Sequence, residues 1–397
     1  MKRLAAALGV TALSIFAFAG TPAATHAANG VSAQHVPVCG AVPDGFARCH
    51  SIRVDGGQVS PSASTPSGYG PADLQSAYNL PSAYSQPPSP AGTGQTVAIV
   101  DAYDDPNAES DLGVYRSQYG LPACTTANGC FSKVNQSGGT KAPRANGGWA
   151  QEISLDLDMV SAICPNCHIL LVEASSASLT NLGTAVNRAA LRATEISNSY
   201  GGSESSSDTS YDTSYYNHPG IAVTVSSGDN GYGVQYPAAS QYVTAVGGTT
   251  LNRDSSTRGW SETVWSGAGS GCSAYDPKPS WQTDKAGCAK RTVADVSAVA
   301  DPNTGVAVYD SYAYQGVSGW LVFGGTSVAS PIIASVYALA GNAASFNYGS
   351  YPYSHTSSLF DVTSGSNGSC GGTYLCTGGT GYDGPTGNGT PNGTGGF

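Results

Sequence analysis

The run Thr96-Val97-Ala98-Ile99-Val100, rich in β-branched residues and ending at Asp101, most constrains how this chain can fold. A strand this uniformly apolar is buried on both faces, which requires a parallel sheet with a layer packed on each side. The pattern recurs along the chain. Gln151 to Ala162 carries apolar residues at helical spacing, followed by the buried strand Ile169 to Val172. Leu179 to Thr194 reads as a helix, and Ile196 to Tyr200 and Ile221 to Val225 read as strands. Alternating strands and helices predict right-handed βαβ crossovers and an α/β fold, three layers deep, with a mostly parallel central sheet flanked by helices. Functional groups in such folds collect at the carboxyl ends of the strands, where Asp101, Ser199 and Ser226-Ser227-Gly228-Asp229 fall.

The chain's start limits its destination. Met1-Lys2-Arg3 followed by the apolar run Leu4 to Ala19, with Thr25-His26-Ala27 as cleavage site, reads as a secretory signal over residues 1–27. No second apolar run is long enough to span a bilayer, so the expected product is secreted, extracellular and free of the membrane after signal removal. Residues 28–67 are rich in Pro, Ser and Gly and read as a short N-terminal extension or remnant pro-segment, with the ordered domain over residues 68–397. A formal charge of −10 argues against a nucleic-acid partner. The ten cysteines fall in five close pairs, Cys39/Cys49, Cys124/Cys130, Cys164/Cys167, Cys272/Cys288 and Cys370/Cys376, and local disulfides are the simplest connectivity for an exported chain. Cys164-Pro165-Asn166-Cys167 has redox or metal spacing but lacks a thioredoxin-type βαβ start, which favours a structural bridge.

Gly324-Gly325-Thr326-Ser327 with Pro331 places a serine at the mouth of an apolar helix read over Val328 to Ala340. A serine there can be an N-cap, or a nucleophile approached by substrate past the glycines. Gly247-Gly248-Thr249-Thr250 shares the lead-in without the serine or the helix, so the lead-in alone is a weak signal. A nucleophilic serine needs a base. Of the six histidines, His26 lies in the leader, His35 and His50 in the extension and His355 in a polar loop. His168 and His218 remain, and neither belongs to a catalytic His motif. Glu152 and Asp156, four apart on a helix, share one face and form a pair able to hold a proton between them. A solvated acidic face continued by Asp158 would have the same spacing. Asp229, in a Gly-rich loop, either caps its turn or, if protonated, donates to an oxyanion.

Taken in order, these residues resemble the sedolisin family of serine-carboxyl peptidases. The resemblance runs through Pro71-Ala72-Asp73-Leu74, Glu152-Ile153-Ser154-Leu155-Asp156, Ser227-Gly228-Asp229, Pro237-Ala238-Ala239 and Gly325-Thr326-Ser327. It implies a subtilisin-like fold and an acid-acting endopeptidase in which Ser327 is the nucleophile. Glu152 would then be base and acid, Asp156 its orienting partner, and Asp229 the oxyanion stabiliser. Ser199, Tyr200 and Gly201 would bind protein or peptide substrates as an added strand. It also implies one structural Ca²⁺, held by the carboxylates of Asp361 and Asp383 and the carbonyls of Val362, Gly379 and Gly381, in a monomer. A secreted peptide-binding protein that keeps the fold without the chemistry is the rival reading. Three features depart from the family pattern. Gly324 stands where the motif usually has serine, and the pro-segment is far shorter than the family's folded pro-domain. Asp101 sits where a subtilisin-like triad aspartate would be, open to service as a third carboxylate, an orienter or a strand-end turn.

Overall fold

The computed structural model describes Met1 and residues 33–56, 66–81, 91–284 and 287–397. The signal segment read over residues 1–27 lies outside them, Met1 apart. In chain order the N-terminal strands are β1 (Gln34–Pro37), β2 (Arg48–Cys49) and β3 (Ile52–Asp55), followed by α1 (Pro71–Ala77). The α/β core runs β4 (Thr96–Ala102), α2 (Ala108–Gln118), β5 (Phe131–Asn135), α3 (Gly147–Ile163), β6 (His168–Ala174), α4 (Leu179–Ala189), β7 (Glu195–Asn198), β8 (Tyr200–Gly201), α5 (Asp208–Tyr211), β9 (Ala222–Ser226), β10 (Thr244–Arg253) and β11 (Trp260–Val264). It closes with β12 (Gly271–Pro277), β13 (Lys290–Val293), β14 (Val296–Val299), the hairpin β15 (Val306–Tyr314) and β16 (Val317–Gly324), and α6 (Thr326–Ala340).

The central sheet has strand order β11-β10-β9-β7-β4-β6-β5, with β14 also pairing β10. All of its pairings are parallel except β10 with β11. β4 lies inside the sheet and alternates its contacts. Ala98 and Val100 join the cluster containing Leu182, Ala185 and Val186 of α4, whereas Val97 and Ile99 join Ile153, Leu157 and Val160 of α3 and Ala334 of α6. An apolar run with no polar face is therefore the required sequence, and the three-layer reading holds.

Two expected elements differ in extent. α4 stops at Ala189, because beyond it Leu191 is exposed and the chain turns toward β7. The strand read from Ile196 to Tyr200 is interrupted at Ser199: β7 pairs inside the sheet, and Tyr200–Gly201 peels off to pair with β2. All five expected disulfides are formed, Cys164–Cys167 among them, and no cysteine of the described residues is free. Among the described residues no helix is long and apolar enough to cross a membrane.

The described part of the extension is built into the domain. β3 pairs antiparallel with β16 and with β1, and Arg53 is buried with its guanidinium on Asp55 and Gln151.

The interior holds many acids with few cationic partners. Burial raises Asp105 to about 7, Glu195 to about 7 and Asp229 to about 7. Each folded-state value lies above the unfolded one, so folding favours the protonated form. That contribution to stability is fully present below about pH 4 and is lost as pH rises through about 7. Thermal unfolding followed from pH 4 to pH 8 should show the midpoint falling by on the order of 10 °C, the reverse of ordinary acid denaturation.

Candidate active site

α3 begins at Asn146, whose side chain accepts a hydrogen bond from the Trp149 N–H, and nearly every residue of the helix is buried. It packs against α6, β15 and α2. Glu152 and Asp156 are therefore interior residues, not a solvated acidic face. Asp158 points elsewhere, with its Oδ2 accepting from the Tyr309 N–H at 2.9 Å.

Asp101, near the carboxyl end of β4, enters the same cluster. Asp101, Glu152, Asp156 and Ser327 are all 0% exposed, so the group is sealed from solvent. Neither oxygen of Asp101 or of Glu152 has a hydrogen-bond partner, whereas Asp156 Oδ1 accepts from Ser199 Oγ at 2.8 Å. Burial drives Glu152 well above the usual carboxylate range, Asp101 raises it further, and the facing hydroxyls of Ser327 and Ser51 act in the opposite direction. Asp156 is raised by burial, then by Asp101 and Glu152, and Asp101 by burial itself. Three mutually repelling carboxyls in a dry pocket hold protons among them. Asp101 is thus a third member of the cluster, not a turn residue, and no histidine of the described residues is hydrogen-bonded to it.

α6 starts at Thr326 with Gly325 as N-cap, slightly before the expected start at Val328. Ser327 is inside the first turn and caps nothing; its Oγ donates to the Ser199 carbonyl at 3.2 Å. Pro331 follows four residues on and has no N–H for the Ser327 carbonyl. Ser199 Oγ lies 3.4 Å from that carbonyl and 2.8 Å from Asp156 Oδ1, with one proton to offer the two, so it stands between the serine and the acid cluster.

Asp229 sits across the helix mouth. Its Oδ1 accepts from both the N–H and the Oγ of Thr326, each at 2.8 Å. Burial raises it to about 7, against the Thr326 hydrogen bonds and the charge of Arg48. Gly325 has φ +96°, and a Cβ there would collide with the His50 carbonyl oxygen and lie 2.8 Å from Asp229 Oδ2. Only glycine lets a peptide carbonyl come this close to the helix start and to Asp229. That carbonyl accepts from the Ser327 N–H at 3.3 Å.

Ser199, Tyr200 and Gly201 line the other side of the segment as a strand edge. Tyr200–Gly201 pairs antiparallel with Arg48–Cys49, and the His50 N–H donates to the Ser199 carbonyl at 3.1 Å. Sequence reading missed four participants. Thr326 could have been flagged as the hydroxyl beside the nucleophile. His50, Ser226 and Gln235 carry no motif and meet only through the fold. The remaining histidines of the described residues stand apart from Ser327; His218, for example, bonds the Tyr215 carbonyl, and His355 stacks on Tyr351.

Four of the residues expected in the calcium loop, Asp361, Gly379, Gly381 and Asp383, are linked in the structure. Asp383 Oδ2 accepts from the Gly379 N–H at 3.0 Å and Asp361 Oδ2 from the Gly381 N–H at 2.9 Å. The two carboxylates are near enough that Asp361 helps burial raise Asp383 to about 7. Paired carboxylates with backbone carbonyls, and neither sulfur nor imidazole, form a donor set that fits a hard divalent cation.

The fold and site together define a subtilisin-like α/β protein with a serine and a carboxyl cluster where a serine and a histidine would otherwise be expected. Sphericase matches at TM-score 0.51 and 17% identity over 83% of this chain and 98% of its own, and so speaks to the fold alone. No protein-family model matches the chain. It is nevertheless similar in sequence to sedolisins. Sedolisin of Pseudomonas sp. (strain 101) is 29% identical over 374 residues, and kumamolisin of Bacillus sp. (strain MN-32) is 29% identical over 313, covering 82% and 70% of this chain. The chain spans 60% and 52% of those relatives' lengths. A solved structure of Pseudomonas sedolisin, a serine-carboxyl proteinase complexed with pseudo-iodotyrostatin, superposes at TM-score 0.67 with 29% identity, covering 83% of this chain and 96% of that one.

A ¹³C titration of the Asp229 carboxyl should have its midpoint near pH 7. In Thr326→Val, which removes one donor to the charged form, the midpoint should move higher still. A midpoint near the ordinary aspartate value in both proteins would remove Asp229 as a neutral donor.

Proposed function

We propose that this chain is a secreted serine-carboxyl endopeptidase that works in acid and forms an acyl-enzyme on Ser327. The observation that carries this reading is the burial of Glu152, Asp156 and Asp101 around a serine whose hydroxyl, among the described residues, is bonded to no imidazole. The bridged cysteines and the apolar leader support export.

The carboxyls share protons, so at mildly acidic pH the cluster can carry a single negative charge. Glu152 is the member that faces Ser327. It takes the Ser327 Oγ proton as Oγ attacks the substrate carbonyl, and returns it to the leaving amine. Asp156, held by Ser199, and Asp101 keep Glu152's proton affinity high enough for both tasks. The Ser327 N–H and protonated Asp229 receive the developing oxyanion, a role in which one donor is typically worth ~3 to 4 kcal/mol. Extended substrate would lie along Ser199, Tyr200 and Gly201.

Hydrolysis of a denatured protein between pH 2 and pH 8 should fall by about 10⁴-fold or more in Ser327→Ala and by about 10³-fold in Glu152→Gln. Activity that survives both substitutions would sink the mechanism. In the wild type, kcat/KM should decline as pH rises through about 7, where Asp229 loses its proton. Asp229→Asn, which keeps a neutral donor, should lose that alkaline limb.

We also propose that Asp361, Asp383, Val362, Gly379 and Gly381 hold one structural Ca²⁺. Chelation should lower the unfolding midpoint of the wild type by several degrees and leave Asp383→Ala, already destabilised, unmoved. Equal midpoints with and without chelator in both proteins would count against the site.

A further inference from the structure

A serine-rich stretch after β8 sets an acid at every fourth residue, at Glu204, Asp208 and Asp212. β12 packs against α5, and its ladder with β13 is broken between Cys272 and Pro277. A break of this kind re-aims side chains out of a strand. Here it delivers Asp276 to the acids of the stretch. One carboxylate oxygen from each of Glu204, Asp208 and Asp276 lies within 4.8 Å of the other two, and Asp212 adjoins Asp276.

Three of these acids are fixed by hydrogen bonds. Glu204 Oε1 accepts from the Ser273 hydroxyl and its Oε2 from the Ala274 N–H at 3.2 Å. Asp208 accepts from the Ser205 N–H at 2.8 Å and from the Ser205 hydroxyl at 2.9 Å, and Asp212 Oδ1 accepts from the Tyr236 hydroxyl at 3.0 Å. Asp276 is the exception. It is 0% exposed, and neither of its oxygens has a hydrogen-bond partner. A carboxyl buried in this way is strongly disfavoured unless something else binds its oxygens.

No positive side chain of the described residues answers these acids. None of the ion pairs among those residues includes Glu204, Asp208, Asp212 or Asp276. The described lysines of the hairpin are committed elsewhere, Lys278 to Asp284 at 2.5 Å and Lys290 to the Tyr275 carbonyl at 3.0 Å. Burial, followed by Asp212, Asp208 and Glu204, pushes Asp276 up to about 9. What the arrangement lacks is positive charge.

We propose that Glu204, Asp208 and Asp276 bind a second Ca²⁺, distinct from the one proposed for Asp361 and Asp383, with Asp276 as the ligand that has no other partner. This does not depend on the peptidase reading. The donors are all oxygens, which suits a hard cation. Ca²⁺ holds its ligands at 2.3–2.6 Å, so two oxygens on one ion can stand up to about 5 Å apart. The spacing of the three carboxylates falls inside that span. Mg²⁺ keeps several waters and takes one or two carboxylates, so three converging on one point favour Ca²⁺. Glu204 is only half-buried and gives the ion its route from solvent. An ion held there joins the chain that follows the Tyr200–Gly201 edge to the hairpin closed by Cys272–Cys288. The rival arrangement is a proton shared between Asp276 and Asp212, which needs no metal.

Equilibrium dialysis of the full chain against Ca²⁺ tests the site, at neutral pH so that protons compete least for the carboxylates. Asp276→Asn should bind one Ca²⁺ fewer per chain than the wild type. Asp383→Ala, altered in the other loop, should keep the ion at Asp276, and the double variant should lose it. Because Asp276→Asn removes one charge from a mutually repelling group, its unfolding midpoint in chelator should equal or exceed that of the wild type, and added Ca²⁺ should raise it less. Equal Ca²⁺ in the wild type and Asp276→Asn would overturn the site. So would a midpoint for Asp276→Asn below the wild type in chelator, the mark of a stabilising proton shared with Asp212.

Discussion

The exclusion of water from one end of α3 is what the site depends on. Glu152 and Asp156 sit on a helix buried along nearly its whole length, and Asp101 reaches them from a strand inside the sheet. Carboxyls in such a place favour their protonated forms and repel one another when charged, so they behave as a proton reservoir. A serine beside a reservoir does not need an imidazole. The same preference explains the acidic character of the interior elsewhere, where Asp105, Glu195 and Asp229 are neutral when the protein is most stable.

Ser327 is held by details of α6 that depend on single residues. Gly325 allows a carbonyl to come within contact of the helix start, Thr326 orients Asp229, and Pro331 leaves the Ser327 carbonyl for Ser199. These three link helix, strand end and acid cluster into one unit. The N-terminal segment closes that unit. Its backbone uses the strand edge at Tyr200–Gly201 and the donor at Ser327, the groups proposed above to bind an external peptide. Access to the site and the position of residues 47–52 are consequently one problem.

Much of the fold is legible in the sequence because its signals are local. A strand covered on both sides has no polar face, and β4 shows that in five consecutive residues. The disulfides are legible for the same reason, since every bridge joins neighbouring cysteines. The Glu152 and Asp156 pair is half legible: helical spacing places both on one face, but the face could equally have been wet. Asp101 was ambiguous among three roles until the register of β4 brought it to the pair.

The sequence by itself determined the α/β layering and the bridge pattern, and nominated Ser327, Glu152, Asp156 and Asp229 as one candidate site, because each follows from spacing along one element or from a motif read in order. Only the tertiary structure decided that the acid pair is a dry triad and that a segment with no periodicity of its own lies in the cleft. It alone also brought His50 between Ser226 and Gln235, residues 176 and 185 positions away in the chain. The physical reason is that burial and long-range pairing are properties of packed layers. A carboxyl's proton affinity depends on what excludes water from it, and no local pattern records that.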